Sequence, residues 1–84
     1  MLVNIINLEK IIYSDETDEA VLPGREGQLT ILPHHAPLIT LLKKGKIKLR
    51  KKGEERLFEI DEGILEVNPK EVNILVTLPA NAAH

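Results

Sequence analysis

Apolar residues along this 84-residue chain come in short bursts at every second position, with turn-forming residues between the bursts. No long window repeats its apolar residues at a 3.6-residue period, so the pattern predicts strands and no helices. Val3 and Ile5 mark one face of a first strand that runs toward Asn7, and residues 11–13 continue it or pair beside it after Asn7-Leu8-Glu9. The acidic stretch 14–19 is too polar for a core and is expected to cross the surface before a strand over 20–22.

Further strands are predicted over 29–32 and 38–42, either side of Pro33-His34-His35-Ala36-Pro37. After a turn at Lys43-Lys44-Gly45, Ile47 and Leu49 alternate with Lys46, Lys48 and Arg50, which is how a half-buried strand reads. Lys51-Lys52-Gly53-Glu54 then closes a hairpin whose return strand turns Phe58 and Ile60 inward and Glu59 outward, within reach of Lys48 or Arg50. This tip carries turn chemistry and charge but no core residue, so it is expected to tolerate substitution. A last hairpin joins 64–67 to 72–76 through Asn68-Pro69-Lys70-Glu71, with Val72, Ile74 and Val76 on one face and Asn73 and Thr77 on the other. Eight to ten short, mostly antiparallel strands in this length imply an all-β fold, a flattened β-sandwich or barrel over residues 1–78. Residues 79–84 lack packing residues and read as a mobile tail.

The segment 22–38 interrupts this regularity with three prolines and two glycines. Gly24 and Gly27 suit the positive φ of tight turns, while Pro23, Pro33 and Pro37 fix φ and remove donors. Such a segment is a shaped surface loop, and rigid loops on a sandwich are where these folds bind partners.

Composition narrows the function. Tyr13 and Phe58 are the only aromatic residues, too few for the stacking platform of a single-stranded nucleic-acid binder. There is no cysteine, hence no disulfide framework and no thiolate metal site. No apolar run approaches the roughly 20 residues that cross a bilayer as a helix. Charge is uneven: residues 43–56 hold eight of the eleven basic residues and two of the thirteen acids, a balance of plus six there and minus eight elsewhere. A docking patch for an acidic partner or an anionic lipid surface is one reading, that of a free-standing adaptor. The solvated face of a strand is the simpler one.

Chemistry finds little footing. His34 and His35, if extended, point in opposite directions and share no metal, and His84 lies in the tail. Ser14 is the single serine and sits in the acidic stretch, outside any nucleophile setting. Gly24-Arg25-Glu26-Gly27 opens no helix and lacks a P-loop lysine. Asp61-Glu62 and Glu54-Glu55 read as solvated turn residues. No catalytic residue, metal or cofactor is expected.

The order Val21-Leu22-Pro23-Gly24, Glu26-Gly27, Leu29, Ile31-Leu32-Pro33, His35-Ala36-Pro37-Leu38 and Gly45, followed by Gly63-Ile64-Leu65-Glu66-Val67-Asn68-Pro69, resembles the amino-terminal domain of the epsilon subunit of F-type ATP synthase. The resemblance implies a β-sandwich of about ten strands in a non-catalytic central-stalk subunit, one copy per complex, coupling proton-driven c-ring rotation to ATP synthesis on other subunits. It implies that Arg25, Glu26, Gly27 and Gln28 face the c-ring, and that Asn7, His35, Pro37 and Thr40 lie toward the gamma subunit. It places the domain at the cytoplasmic face of a bacterial plasma membrane or the equivalent side of another energy-transducing membrane, peripheral through the complex. Gln28 stands where the family often has an acid; Thr30, His34 and Glu62 stand where glycine is common. The sequence holds no carboxyl-terminal helical hairpin, which implies either a short form that couples without helical restraint or a truncated chain.

Overall fold

In the computed structural model, which describes residues 1–79, the alternation becomes nine strands, with no helix among the described residues. They are β1 (Leu2–Ile6), β2 (Ile11–Glu16), β3 (Glu19–Gly24), β4 (Gly27–Ile31), β5 (Leu38–Leu42), β6 (Gly45–Lys51), β7 (Glu54–Ile60), β8 (Glu62–Val67) and β9 (Glu71–Thr77). Val3, Ile5, Ile47, Leu65 and Ile74 are each fully buried, so every second position does point into one aliphatic core. The expected tail falls outside the described residues except for Pro79.

The strands form one continuous curled sheet in the order β2-β1-β9-β8-β5-β3-β6-β7, with β4 added on β3. All neighbours are antiparallel except β1 and β9, which run parallel. β2, β1, β9, β8 and β5 make the first layer, and β4, β3, β6 and β7 the second. The two are joined at one corner, where Gly24 pairs with Leu42, Arg25 N–H donates to Leu41 O (2.9 Å) and Lys43 N–H donates to Pro23 O (2.9 Å). Gly24 is needed there because a Cβ would strike the Gly27 carbonyl and the Leu29 side chain. It does not use the positive φ expected of it; Gly27 does, at 138°.

At the other end of the sheet order, β2 and β7 meet through side chains. Tyr13 and Phe58 pack edge to face with centroids 5.6 Å apart, and the Arg56 guanidinium lies 5.3 and 5.2 Å from the two ring centroids. Beside it Lys51, at the end of β6, donates from Nζ to Asp15 Oδ2 of β2 at 2.7 Å. The result is a flattened body of 34 × 27 × 21 Å, the sandwich the strand count implied.

Several sequence expectations change. The acidic stretch 14–19 is not simply a surface crossing: Ser14, Asp15 and Glu16 lie in β2 and Glu19 opens β3. At its bend Thr17 is buried and shares a 3.0 Å hydrogen bond with the Tyr13 hydroxyl. His34 is not extended. Leu32 O accepts from His35 N–H (3.1 Å) around Pro33 and His34, and His34 takes a φ of 69°, the conformation a glycine would fill at the third position of a type II turn. Glu59 stands opposite Lys46, while Lys48 and Arg50 pair with Glu55 instead. The tip at Lys52-Gly53 has φ of 51° and 81°, and Lys52 N–H donates to Asp18 Oδ2 (2.8 Å), so it is less free to change than its composition suggests.

Candidate functional site

The outward positions of the first layer form a surface with two parallel rows. One is apolar: Ile11, Ile6, Leu75, Ile64 and Leu41 are successive register partners across β2, β1, β9, β8 and β5. A β-bulge between Ile5 and Ile6 brings Ile11 into this row. At the usual spacing between strands the stripe is about 19 Å long. Ile11, Ile64 and Leu75 are 63%, 45% and 50% exposed, and Leu8, on the turn at the same end, is fully so.

The neighbouring row is a hydrogen-bonded ladder. Ser14 Oγ donates to Asn4 Oδ1 (2.7 Å), Asn4 Nδ2 donates to Asn73 Oδ1 (2.9 Å) and Glu71 Oε1 (3.0 Å), and Asn73 Nδ2 donates to Glu66 Oε1 (3.0 Å). Glu66 in turn stands beside Ile39 of β5, itself 73% exposed. The outward positions of these five strands carry Glu16, Glu62, Glu66 and Glu71 and, among the described residues, no lysine or arginine.

The second layer's outer face is built differently. Arg50 lies between Glu19 (2.9 Å) and Glu55 (3.0 Å), and Lys48 reaches Glu55 at 3.8 Å. The Arg50 hydrogen bond, with Lys48 beside it, holds the Glu55 carboxyl below its ordinary range, and Glu55 followed by Glu19 raises Arg50. Similarly, the hydrogen bond from Lys51, followed by that from the Glu16 backbone, lowers Asp15, while Asp15 raises Lys51. The run 43–56 is therefore not a free cationic patch. Lys48, Arg50 and Lys51 are ion-paired and Arg56 lies on two rings, which removes half of the basic residues an adaptor for an anionic surface would use.

The residues singled out from sequence are not gathered in one place. Arg25 and Glu26 form the tip of the β3–β4 hairpin, and Gly27 and Gln28 begin β4. Gln28 and Thr40 line one groove between β4 and β5, together with Leu29, Ile39 and Leu41. Asn7 lies at the same end as Arg25, and both line a second, mostly apolar groove with Leu8, Leu41, Ile64 and Leu75. Asn7 also closes its own turn, accepting from Glu9 and Lys10 N–H at 2.9 Å each, as Asn68 does for Lys70 (2.8 Å) and Glu71 (2.9 Å). His35 lies at the opposite end of the layer, beside Asn68 and Pro69, where its Nδ1 donates to Ala36 O (2.7 Å). Pro37 belongs to that end too, directly before β5.

The apolar stripe went unremarked in the sequence, although a signal for it is present. Leu-Ile-Thr-Leu-Leu in β5 and Ile-Leu-Val in β9 are nearly continuous apolar runs, which strands show when both of their faces are meant to be covered.

Compared with known families, residues 1–78 match the one described as ATP synthase, Delta/Epsilon chain, beta-sandwich domain. The chain is 42% identical over 81 residues to the ATP synthase epsilon chain of Alkalilimnicola ehrlichii, covering 95% of itself and 58% of that relative. It is 43% identical over 72 residues to the ATP synthase epsilon chain of Dehalococcoides mccartyi, covering 86% of itself and 51% of that relative. The chain thus spans little more than half the length of these relatives. Among solved structures, a chain of the Euglena gracilis mitochondrial ATP synthase superposes with a TM-score of 0.85 at 18% identity, over 90% of this chain and 49% of that one. A chain of the Tetrahymena thermophila mitochondrial ATP synthase central stalk and c-ring gives 0.78 at 21% identity, over 92% and 63%. At such identities these two likenesses speak to the fold alone, and they agree with the sandwich derived from the register. By the match over nearly its whole length, the chain belongs to the family of ATP synthase delta/epsilon chain β-sandwich domains.

Proposed function

We propose that this chain is the sandwich domain of a non-catalytic central-stalk subunit of F-type ATP synthase, which couples rotation of the c-ring to ATP synthesis on other subunits. The observation that carries the reading is the uncovered first-layer face, apolar and acidic, on a domain of this family. A contiguous exposed stripe of aliphatic residues is costly in water and marks a surface made to be covered. In this reading a gamma subunit covers it and reaches past its rim to Asn7, His35 and Pro37, spread from one end of the layer to the other, and to Thr40 on the groove side of β5. The hairpin Arg25-Glu26-Gly27-Gln28 rests on the polar loops of the c-ring, where Gln28 serves by hydrogen bonding in place of an acid. The subunit is peripheral to the membrane through the complex, at one copy per complex and on the cytoplasmic side in a bacterium. Its role is mechanical, and it needs no cofactor.

A gamma subunit from the same organism, mixed with the folded chain at micromolar concentration, is expected to co-elute with it in size-exclusion chromatography. Elution of the two as separate species would end this reading. His35→Ala and Pro37→Ala are expected to weaken gamma binding more than Lys52→Ala; equal losses would mean that the face is wrongly assigned.

A further inference from the structure

Three strands have one edge free along its whole length, and these edges are unlike. β2 and β7 end the sheet order, and β4 pairs only with β3. β2 guards its edge with Asp15 and Glu16, and β7 with Glu54, Glu55, Arg56 and Glu59. Charges of this kind keep foreign strands from pairing with an edge. β4, Gly27-Gln28-Leu29-Thr30-Ile31, carries neither a charge nor a proline.

The direction of its backbone groups follows from its neighbour. Pro23 O accepts from Lys43 and Arg25 N–H reaches Leu41 O, so the odd-numbered residues of β3 direct their backbone groups toward β5 and β6. Ala20, Leu22 and Gly24 therefore turn theirs toward β4, onto the registered partners Ile31, Leu29 and Gly27. The N–H and C=O groups of Gln28 and Thr30 are left pointing outward, on two exposed residues. Beside them runs the groove lined by Leu29, Ile39 and Leu41. Leu41 is also a member of the apolar stripe, so edge and stripe form one continuous surface.

We propose that β4 accepts an extended, uncharged segment of a partner protein as an additional strand, with an aliphatic side chain of that segment seated in the Leu29–Ile39–Leu41 groove. The segment belongs to the same partner that covers the stripe, and to that extent the inference rests on the function proposed above; it takes only the main chain of Gln28, whose side chain stands off the sheet plane and stays available to the c-ring. A second copy of this chain is the poorer occupant. Pairing β4 to β4 would join only five residues a side, far less than the roughly 1,200 Å² of a stable interface. A segment tethered to a chain already bound nearby needs no such area, because its effective concentration is high. Main-chain bonds would supply the attraction, and the groove would choose the side chain.

Hydrogen exchange of the full chain, alone and in complex with the gamma subunit of its own organism, tests this. The Gln28 and Thr30 amides are expected to exchange at least tenfold more slowly in the complex, while those of β7 are unchanged. Thr30→Pro removes a donor that the fold does not use, so it is expected to keep the thermal midpoint and weaken gamma binding about tenfold, whereas Thr30→Val leaves both as they were. If the complex forms and the two amides stay unprotected, strand addition is overturned and the stalk reading stands. If no complex forms, both fall. Protection that appears in the chain alone, rises with its concentration and accompanies a doubled mass would make a second copy the occupant and overturn the proposal as well.

Discussion

The two outer faces of this small sandwich each expose a leucine to a similar degree, Leu75 at 50% on the first layer and Leu57 at 59% on the second. Their surroundings differ. Leu57 stands opposite Lys48 on a face where Glu19, Arg50 and Glu55 pair among themselves. Leu75 stands between Ile6 and Ile64 in a row five strands wide, bordered by Glu62, Glu66 and Glu71, which among the described residues ion-pair with no lysine or arginine, although Arg25 lies at one end of the groove. A single exposed leucine is ordinary in a soluble protein, whereas a contiguous row is not. What separates a finished surface from a waiting one is therefore contiguity and charge balance, more than the amount of apolar area.

The largest expected effect breaks the layer beneath the comparison. Leu65 is fully buried on β8 directly behind the stripe. Leu65→Ala should cost about 2–5 kcal/mol in denaturant unfolding, from lost transfer energy and a residual cavity. A loss below about 1 kcal/mol would show that the two layers do not share one rigid core.

Substitution on the faces themselves sharpens the contrast. Leu75→Glu and Leu57→Glu should leave the thermal midpoint nearly unchanged, since each alters an exposed site. Leu75→Glu is expected to weaken gamma binding by tenfold or more, about 1.4 kcal/mol or above, and Leu57→Glu to change it little. Similar losses in a binding titration would erase the distinction between the faces.

A smaller effect concerns the ladder. Asn73→Ala removes the link between Asn4 and Glu66 and should cost about 1 kcal/mol of stability, the net worth of a typical hydrogen bond. Asn73→Asp should also weaken it, because a carboxylate cannot donate to Glu66. An Asp variant as stable as the parent in thermal unfolding would mean the ladder is not cooperative.

The smallest effect belongs to the seam and the second face. The Asp15 and Glu55 carboxyls are held below their ordinary 3.8 and 4.5 in the fold. Their contribution is present above those values and is lost as pH falls through the lower folded ones. Thermal midpoints measured from pH 6 down to pH 2 should therefore decline on the acid side, and less so in Asp15→Asn, where one of the two linked carboxyls is gone. At high salt the decline should shrink, as it does for exposed pairs.

Most of the fold was legible from period-two alternation, because burial of one side of a strand leaves an imprint on residue type. The pairing of Ile47 with Phe58 and the turn at Asn68-Pro69 could be read locally. The parallel contact of β1 with β9 could not, since it joins the two ends of the chain and no local feature of Leu2–Ile6 names its partner. The candidate site was legible only in pieces. Arg25, Gln28 and Thr40 stood out through family resemblance, but nothing short of the register placed Gln28 and Thr40 in one groove and His35 far from Asn7.

The sequence by itself determined the class of fold, the run of strands and the rigid turns between them, since these follow from nearest-neighbour stereochemistry and side-chain polarity. Tertiary structure alone decided what the charges and the outward aliphatics mean. The basic run 43–56 read as a solvated strand face or, less simply, a docking patch, and half of its basic residues are held instead in ion pairs or over two rings, because strand pairing brought Asp15 and Glu19 to it. Ile6, Leu41, Ile64 and Leu75 looked like ordinary strand residues and became one stripe, because a sheet sums across strands what the chain keeps apart.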